Sequence, residues 1–168
     1  MDPAQLSPYP VSPVEVCARF GFSAERRGIL RGWLGMRAAL RQLGYASGFQ
    51  WLDGSFMEDA ETFRGRPPGD IDVVSFLEAS QIKPGEMDAP LLGAISNHQL
   101  SKAQFQVDHF IVGLNWPGRT VAEWTRYWCG LFSHRRIDAV WKGMLKVDLA
   151  SAADDAAALK LLDEKGTP

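Results

Sequence analysis

Ile29, Trp33, Met36, Leu40 and Leu43 recur at helical spacing, so one apolar stripe predicts a helix over residues 24–44. Ser23 supplies a side-chain oxygen for its N-cap, and Gly44 is a natural stop. Arg26, Arg27, Arg31, Arg37 and Arg41 fill the remaining positions and read as a solvated face rather than as phosphate contacts. The pattern then changes. The run 49–53, FQWLD, is short, aromatic and apolar, as a buried strand should be. Residues 70–77, DIDVVSFL, and 105–113 predict two further strands. Residues 143–149 alternate Met144, Lys146 and Asp148 against Leu145, Val147 and Leu149, which fits a strand at a sheet edge. A polar connection over 56–69, with a helical turn at 57–63, closes on Pro67-Pro68-Gly69 and forces an extended entry into the second strand.

The remaining segments read as follows. Residues 78–90 are loop-like, with Pro84-Gly85 and Pro90, and 91–103 form a short helix. Asn115-Trp116-Pro117-Gly118 is a turn. Thr120 and Glu123 have capping-box spacing for a helix over 121–131 with Trp124, Tyr127, Trp128 and Leu131 on its apolar face. Ser151 and Asp154 have the same spacing for a C-terminal helix over 151–165. Residues 1–13 carry Pro3, Pro8, Pro10 and Pro13, and form an extended arm or a strand that packs on the domain or on a partner. Helices and strands are mixed, so the expected class is α/β (α+β): a mixed β-sheet flanked by helices.

Composition narrows the picture. The 168 residues fit a single domain, and six Trp with nine Phe provide material for one core. A net charge of −2 argues against a broad basic surface for nucleic acid. Cys17 and Cys129 fit neither a disulfide framework nor a zinc site. No apolar run has membrane-span length and the first residues show no leader pattern, so a cytoplasmic protein is expected.

The chemistry-bearing residues lie around the second strand. Residues two apart in a strand point the same way, so Asp70 and Asp72 share a face with Val74 and Phe76, and Ile71 and Val73 lie opposite. Adjacent acids on one face repel and resist burial unless a cation lies between them or the strand end is solvated. Asp108 interrupts an otherwise apolar strand and is the natural third carboxylate. Such a set suits Mg²⁺, two ions of which can clamp an in-line phosphoryl displacement. The Gly54-Ser55 turn lets backbone amides and a hydroxyl approach a phosphate. Arg64 and Arg66 reach a triphosphate or belong to a solvated loop, and Lys142, Arg135 and Arg136 are weaker candidates of the same kind. Asp53 is read as structural, hydrogen-bonding around the turn, and His109 as a packed or solvent residue. His98 and His134 have no partner at metal-ligand spacing, and Cys129 with His134 makes no nucleophile pair. The Trp-rich stretch 116–141 reads as core or partner interface rather than a base-stacking platform.

An apolar strand, a Gly-Ser turn, a strand with alternating acids and a later strand with a third acid together resemble the DNA polymerase β-like nucleotidyltransferase superfamily. The resemblance covers residues 24–112. WLDGSF followed by PGDIDVV is similar to minimal bacterial nucleotidyltransferase-like proteins, some of which act in toxin–antitoxin or phage-defence pairs. It implies Mg²⁺-dependent transfer of a nucleoside monophosphate from a nucleoside triphosphate to a protein or nucleic-acid acceptor such as RNA. Gly54 and Ser55 would hold phosphates, with Arg64 and Arg66 assisting. Asp70, Asp72 and Asp108 would hold metal, and Asp108 would help deprotonate the attacking hydroxyl. It equally implies an alternative: a binding module of that fold, an antitoxin, inhibitor or assembly subunit with a partner protein, in which catalysis is dispensable or lost. The chain departs from the family pattern in the long connection from Ser55 to Asp70, and no large helical domain follows the third strand.

Overall fold

The computed structural model describes residues 5–78, 88–135 and 137–165. A five-stranded mixed sheet has the order β1-β5-β2-β3-β4. Its strands are β1 (Tyr9–Pro10), β2 (Gly48–Asp53), β3 (Ile71–Leu77), β4 (Val107–Gly113) and β5 (Leu145–Asp148). The helices are α1 (Pro13–Phe20), α2 (Ala24–Gln42), α3 (Ala60–Arg64), α4 (Ala89–Ser96), α5 (His98–Phe105), α6 (Gly118–Phe132) and α7 (Ala152–Glu164). The protein is thus α/β, as the mixed pattern predicts. Among the described residues no helix is long and apolar enough to cross a membrane.

Strand alternation divides the core. Leu52, Ile71, Val73, Val107 and Val147 pack on α1, α2 and α7 through Val16, Ile29, Trp33, Met36, Ala158 and Leu162. Trp51, Val74, Phe76 and Val112 point the other way, onto Trp128 and Phe132 of α6. The predicted stripe of α2 is buried throughout, and Ser23 caps the helix by accepting from the Arg26 amide.

Several expectations are corrected. Of the two alternatives for residues 1–13, the strand packed on the domain is found where the segment is described, Tyr9–Pro10 pairing in parallel with β5, while Pro13 opens α1, a helix not expected from the sequence. Proline suits that position because its missing amide would be unpaired in the first turn anyway. β5 is consequently interior, between β1 and β2, not an edge. The helix expected over 91–103 is two helices, broken at Asn97, whose side chain caps α5. Pro84-Gly85 lies outside the described residues. Thr120 does not cap α6, which begins at Gly118 with Pro117 before it, and Glu123 pairs with Arg119 instead. Only Trp128 of the four aromatic and apolar positions predicted for that helix is buried; Trp124 and Tyr127 remain 42% and 49% exposed. Ser151 precedes α7 but makes no capping bond, since its hydroxyl bridges the Asp148 carbonyl and Arg37.

The arginine face of α2 is the largest correction. Arg26 and Arg37 are fully buried. Arg37 donates to Asp155, to the Gln50 side chain, to the Asp148 carbonyl and to Ser151. Arg31 and Arg41 pair with Asp163 and Asp155 on α7. A guanidinium has five donors and tolerates burial when all meet acceptors.

Gln50 continues this network through the sheet. Its amide donates to the Ser75 hydroxyl, Ser75 lies 2.7 Å from His109 Nε2, and His109 Nδ1 lies 2.9 Å from the Ile95 carbonyl. A carbonyl only accepts, so Nδ1 carries the proton and Nε2 accepts from Ser75. Burial holds the ring neutral and lowers its pKa to about 4. The unfolded chain takes this proton below about pH 6.5, the folded chain only near pH 4, so acidification across that window favours unfolding. The contribution is complete above the unfolded value and shrinks as pH falls toward the folded one. Urea unfolding at pH 7 and pH 5 should therefore show wild type losing about 2 kcal/mol more than His109→Gln. Equal losses in the two proteins would contradict the neutral-ring assignment.

Candidate active site

Strand register gathers the acids. β2 and β3 are antiparallel with Asp53 opposite Asp72, and β3 and β4 are parallel with Asp72 opposite Asp108. One carboxylate row thus crosses three strands, on the face that carries Trp51, Val74 and Phe76. Asp70 stands immediately before β3. A cavity of about 230 Å³ opens there, lined by Asp53, Gly54, Ser55, Glu58, Arg64, Asp70, Asp72, Lys102, Asp108, Leu131, Phe132, His134 and Lys142. The predicted residues Gly54, Ser55, Arg64, Asp70, Asp72 and Asp108 therefore meet in one place. Arg66 is not among the lining residues, and Arg136 lies outside the described ones.

Gly54 is required where it stands. Its φ is +84°, and a β-carbon there would collide with the Asp72 carboxylate. The strand end therefore turns sharply against Asp72, and Ser55 opens a short 3₁₀ turn over Ser55–Met57. The turn is held from below by Arg26, which donates to the Phe56 and Glu58 carbonyls and, through two nitrogens, to both oxygens of Glu61. A residue read as solvated is thus the anchor of the loop.

Two lysines balance the acids. Lys102 Nζ lies 2.6 Å from Asp70 Oδ2 and 3.2 Å from Asp108 Oδ2. Lys142 Nζ lies 3.1 Å from Asp53 Oδ2 and 3.3 Å from Glu58 Oε1, and donates to the Gly54 carbonyl. Arg64 pairs with Glu58 at 2.8 Å. No ion pair to Asp72 occurs among the described residues. Burial, then the charges of Asp70 and Asp108, raise the Asp72 carboxyl to about 6. Burial raises Asp53 to about 7 against the pull of Lys142. Lys102 is shifted upward, chiefly by its hydrogen bond to Asp70.

Sequence reasoning missed Lys102 and the place of Asp53, and ranked Lys142 low. Lys142 enters because the loop after α6 folds back, with its amide on the Ser133 carbonyl and an isolated bridge between His134 and Trp141. No local pattern announces that return. Asp53 had a signal, an acid ending an apolar strand next to Gly-Ser. His109 faces the opposite side from Asp108, as its packed reading requires.

The acids lining the cavity offer only oxygen donors, the ligand type a hard divalent cation takes. Asp53 Oδ1 and Asp108 Oδ1 are buried carboxylate oxygens without a hydrogen-bond partner, an expensive condition that a cation would relieve. No group of three His, Cys, Asp or Glu side chains forms a ready metal cage among the described residues. In its place, Lys102 spans Asp70 and Asp108.

Residues 3–148 match the model of a family described as Family of unknown function (DUF6932), and the chain belongs to that family. No curated protein and no solved structure matches it.

Because the ionised Asp72 is disfavoured in the fold, its cost is present above about pH 6 and vanishes below its ordinary value near 3.8. In chelator, Asp72→Asn should unfold at a higher temperature than wild type at pH 8, by up to about 3 kcal/mol in stability. The gap should close toward pH 4. A gap independent of pH would contradict the burial and crowding of the Asp72 carboxylate described above.

Proposed function

We propose that the protein is a Mg²⁺-dependent nucleotidyltransferase that moves a nucleoside monophosphate from a nucleoside triphosphate to a protein or nucleic-acid acceptor. The observation that carries this reading is the register Asp53–Asp72–Asp108, which brings the Gly54-Ser55 turn and the acids to one cavity. The resemblance to the polymerase β-like superfamily in these same residues supports it.

In this reading Asp70, Asp72 and Asp108 would hold the metal, which when bound supplies charge neutralisation on the phosphates. The chain's own groups then have definite tasks. The Gly54-Ser55 backbone approaches phosphate oxygens closely because no side chain intervenes at Gly54. Arg64 and Lys142, already at the cavity wall, offer cationic donors to the triphosphate. Asp108 accepts the proton of the attacking hydroxyl, and pyrophosphate leaves. Leu131 and Phe132 form the apolar wall of the same cavity.

A second reading, a binding module of the same fold with lost catalysis, is favoured by the Lys102 bridge between two of the acids. A cation built into the chain can substitute for a metal structurally without supplying its chemistry.

Isothermal titration of each nucleoside triphosphate with Mg²⁺ tests the first reading. Wild type should bind at least one of them, Asp72→Ala should bind at least about tenfold more weakly, and Ser55→Ala several-fold more weakly. Nucleotide-dependent pyrophosphate release should disappear in Asp72→Ala. Absence of binding to wild type, or equal binding by Asp72→Ala, would overturn the assignment. Nucleotide binding without pyrophosphate release in any acceptor mixture would select the binding module.

A further inference from the structure

Lys102 is positioned by the chain around it rather than by chance contact at a surface. Asn97 caps α5 by accepting from the Gln99 and Leu100 amides. Ser101, the neighbour of Lys102, is fully buried and donates to the Met36 sulfur of α2. Gly32 of α2 lets the Phe105 carbonyl approach so closely that a β-carbon would overlap it. At the other end, the Gln106 amide donates to the Lys102 carbonyl, Gln106 takes a left-handed conformation, and its own carbonyl accepts from Ile71. The backbone of Lys102 is therefore locked one link away from the start of β3, beside Asp70. Its side chain, in contrast, is 45% exposed and flexible enough to leave.

We propose that Lys102 is the internal counter-ion of this site, an ammonium that holds Asp70 and Asp108 together until a divalent cation displaces it. The inference rests on the metal-binding reading of these acids. Without a cation between them, Asp70, Asp72 and Asp108 crowd the neighbouring starts of β3 and β4 and repel. The ammonium takes up one oxygen of Asp70 and one of Asp108, and leaves Asp108 Oδ1 buried without a hydrogen bond, with His98 Nδ1 3.8 Å from it. A divalent ion entering the row would bring twice the charge and could take up that oxygen, which lacks a hydrogen bond. Lys102, released, would swing to solvent or to a phosphate oxygen of the arriving nucleotide. The protein would thus keep a stable resting state, and metal affinity would be set low enough that metal and nucleotide enter together. Lys102 is in this scheme a positioning residue.

The test is calorimetric titration of Mn²⁺ into metal-free wild type, Lys102→Met, Lys102→Gln and Lys102→Met/Asp72→Asn, with thermal melts in chelator and in Mn²⁺. Both single variants should bind Mn²⁺ about tenfold more tightly than wild type, and the double variant should lose most of that gain. In chelator the single variants should melt below wild type, and Mn²⁺ should raise their midpoints more than it raises wild type's. The melts also establish that each variant is folded. If wild type binds Mn²⁺ and the Lys102 variants bind it equally or more weakly, the counter-ion role is wrong while the metal reading stands. If none of the proteins binds Mn²⁺, the metal reading itself falls, and the counter-ion role with it.

Discussion

Crowded negative charge at one end of the sheet is the constraint around which this protein is built. Asp53, Asp72 and Asp108 occupy equivalent positions on three neighbouring strands, and Asp70 adds a fourth carboxylate. A one-residue slip in either strand pair would send part of the row to the opposite face. The register is fixed by apolar side chains on both faces, Leu52, Ile71 and Val73 on one and Trp51, Val74 and Phe76 on the other. Hydrophobic burial thus holds together groups that electrostatics would separate. The compensation comes from two lysines reached by long detours of the chain, Lys102 from α5 and Lys142 from the loop after α6.

The second organising element is the pair of buried guanidiniums on α2. Arg26 anchors the turn after β2, so the Gly54-Ser55 loop is fixed from a helix that contributes nothing to the cavity wall. Arg37 joins α7, the end of β5 and Gln50, and starts a chain of hydrogen bonds that ends at His109 and the Ile95 carbonyl. Deleting one partner of such a network leaves another buried and unpaired, which costs far more than a surface ion pair contributes. Of the two guanidiniums, Arg26 holds the loop at the cavity, and Arg37 ties α2 to α7 and the sheet.

Much of the fold was legible in the sequence because burial imposes periodicity. The stripe of α2 reports which face meets the core, the apolar runs of β2 and β3 report strands buried on both faces, and the alternation over 143–149 reports the buried Val147 of β5. Capping patterns were less reliable. Ser23 caps as expected, but Thr120 and Ser151 do not, because a hydroxyl near a helix start can find a better partner and Pro117 already opens α6. The arginine face was misread since periodicity reports hydrophobicity alone. A buried arginine looks identical to a solvated one until its acceptors, Glu61 and Asp155, arrive from distant segments.

The sequence by itself determined the local half of the site. Asp70 and Asp72 are two residues apart at the entry to a strand, close enough in sequence to reach one cavity, and Gly54-Ser55 after an apolar run marks a sharp turn. Tertiary structure decided the rest. Asp108 joins them because β4 pairs in parallel with β3, Asp53 joins because β2 pairs antiparallel, Lys102 comes from α5 packed beside β4, and Lys142 arrives as the loop after α6 folds back. Those relations depend on which strands pair and in which direction, a choice made by burial across the whole chain. Spacing along a segment carries no information about it.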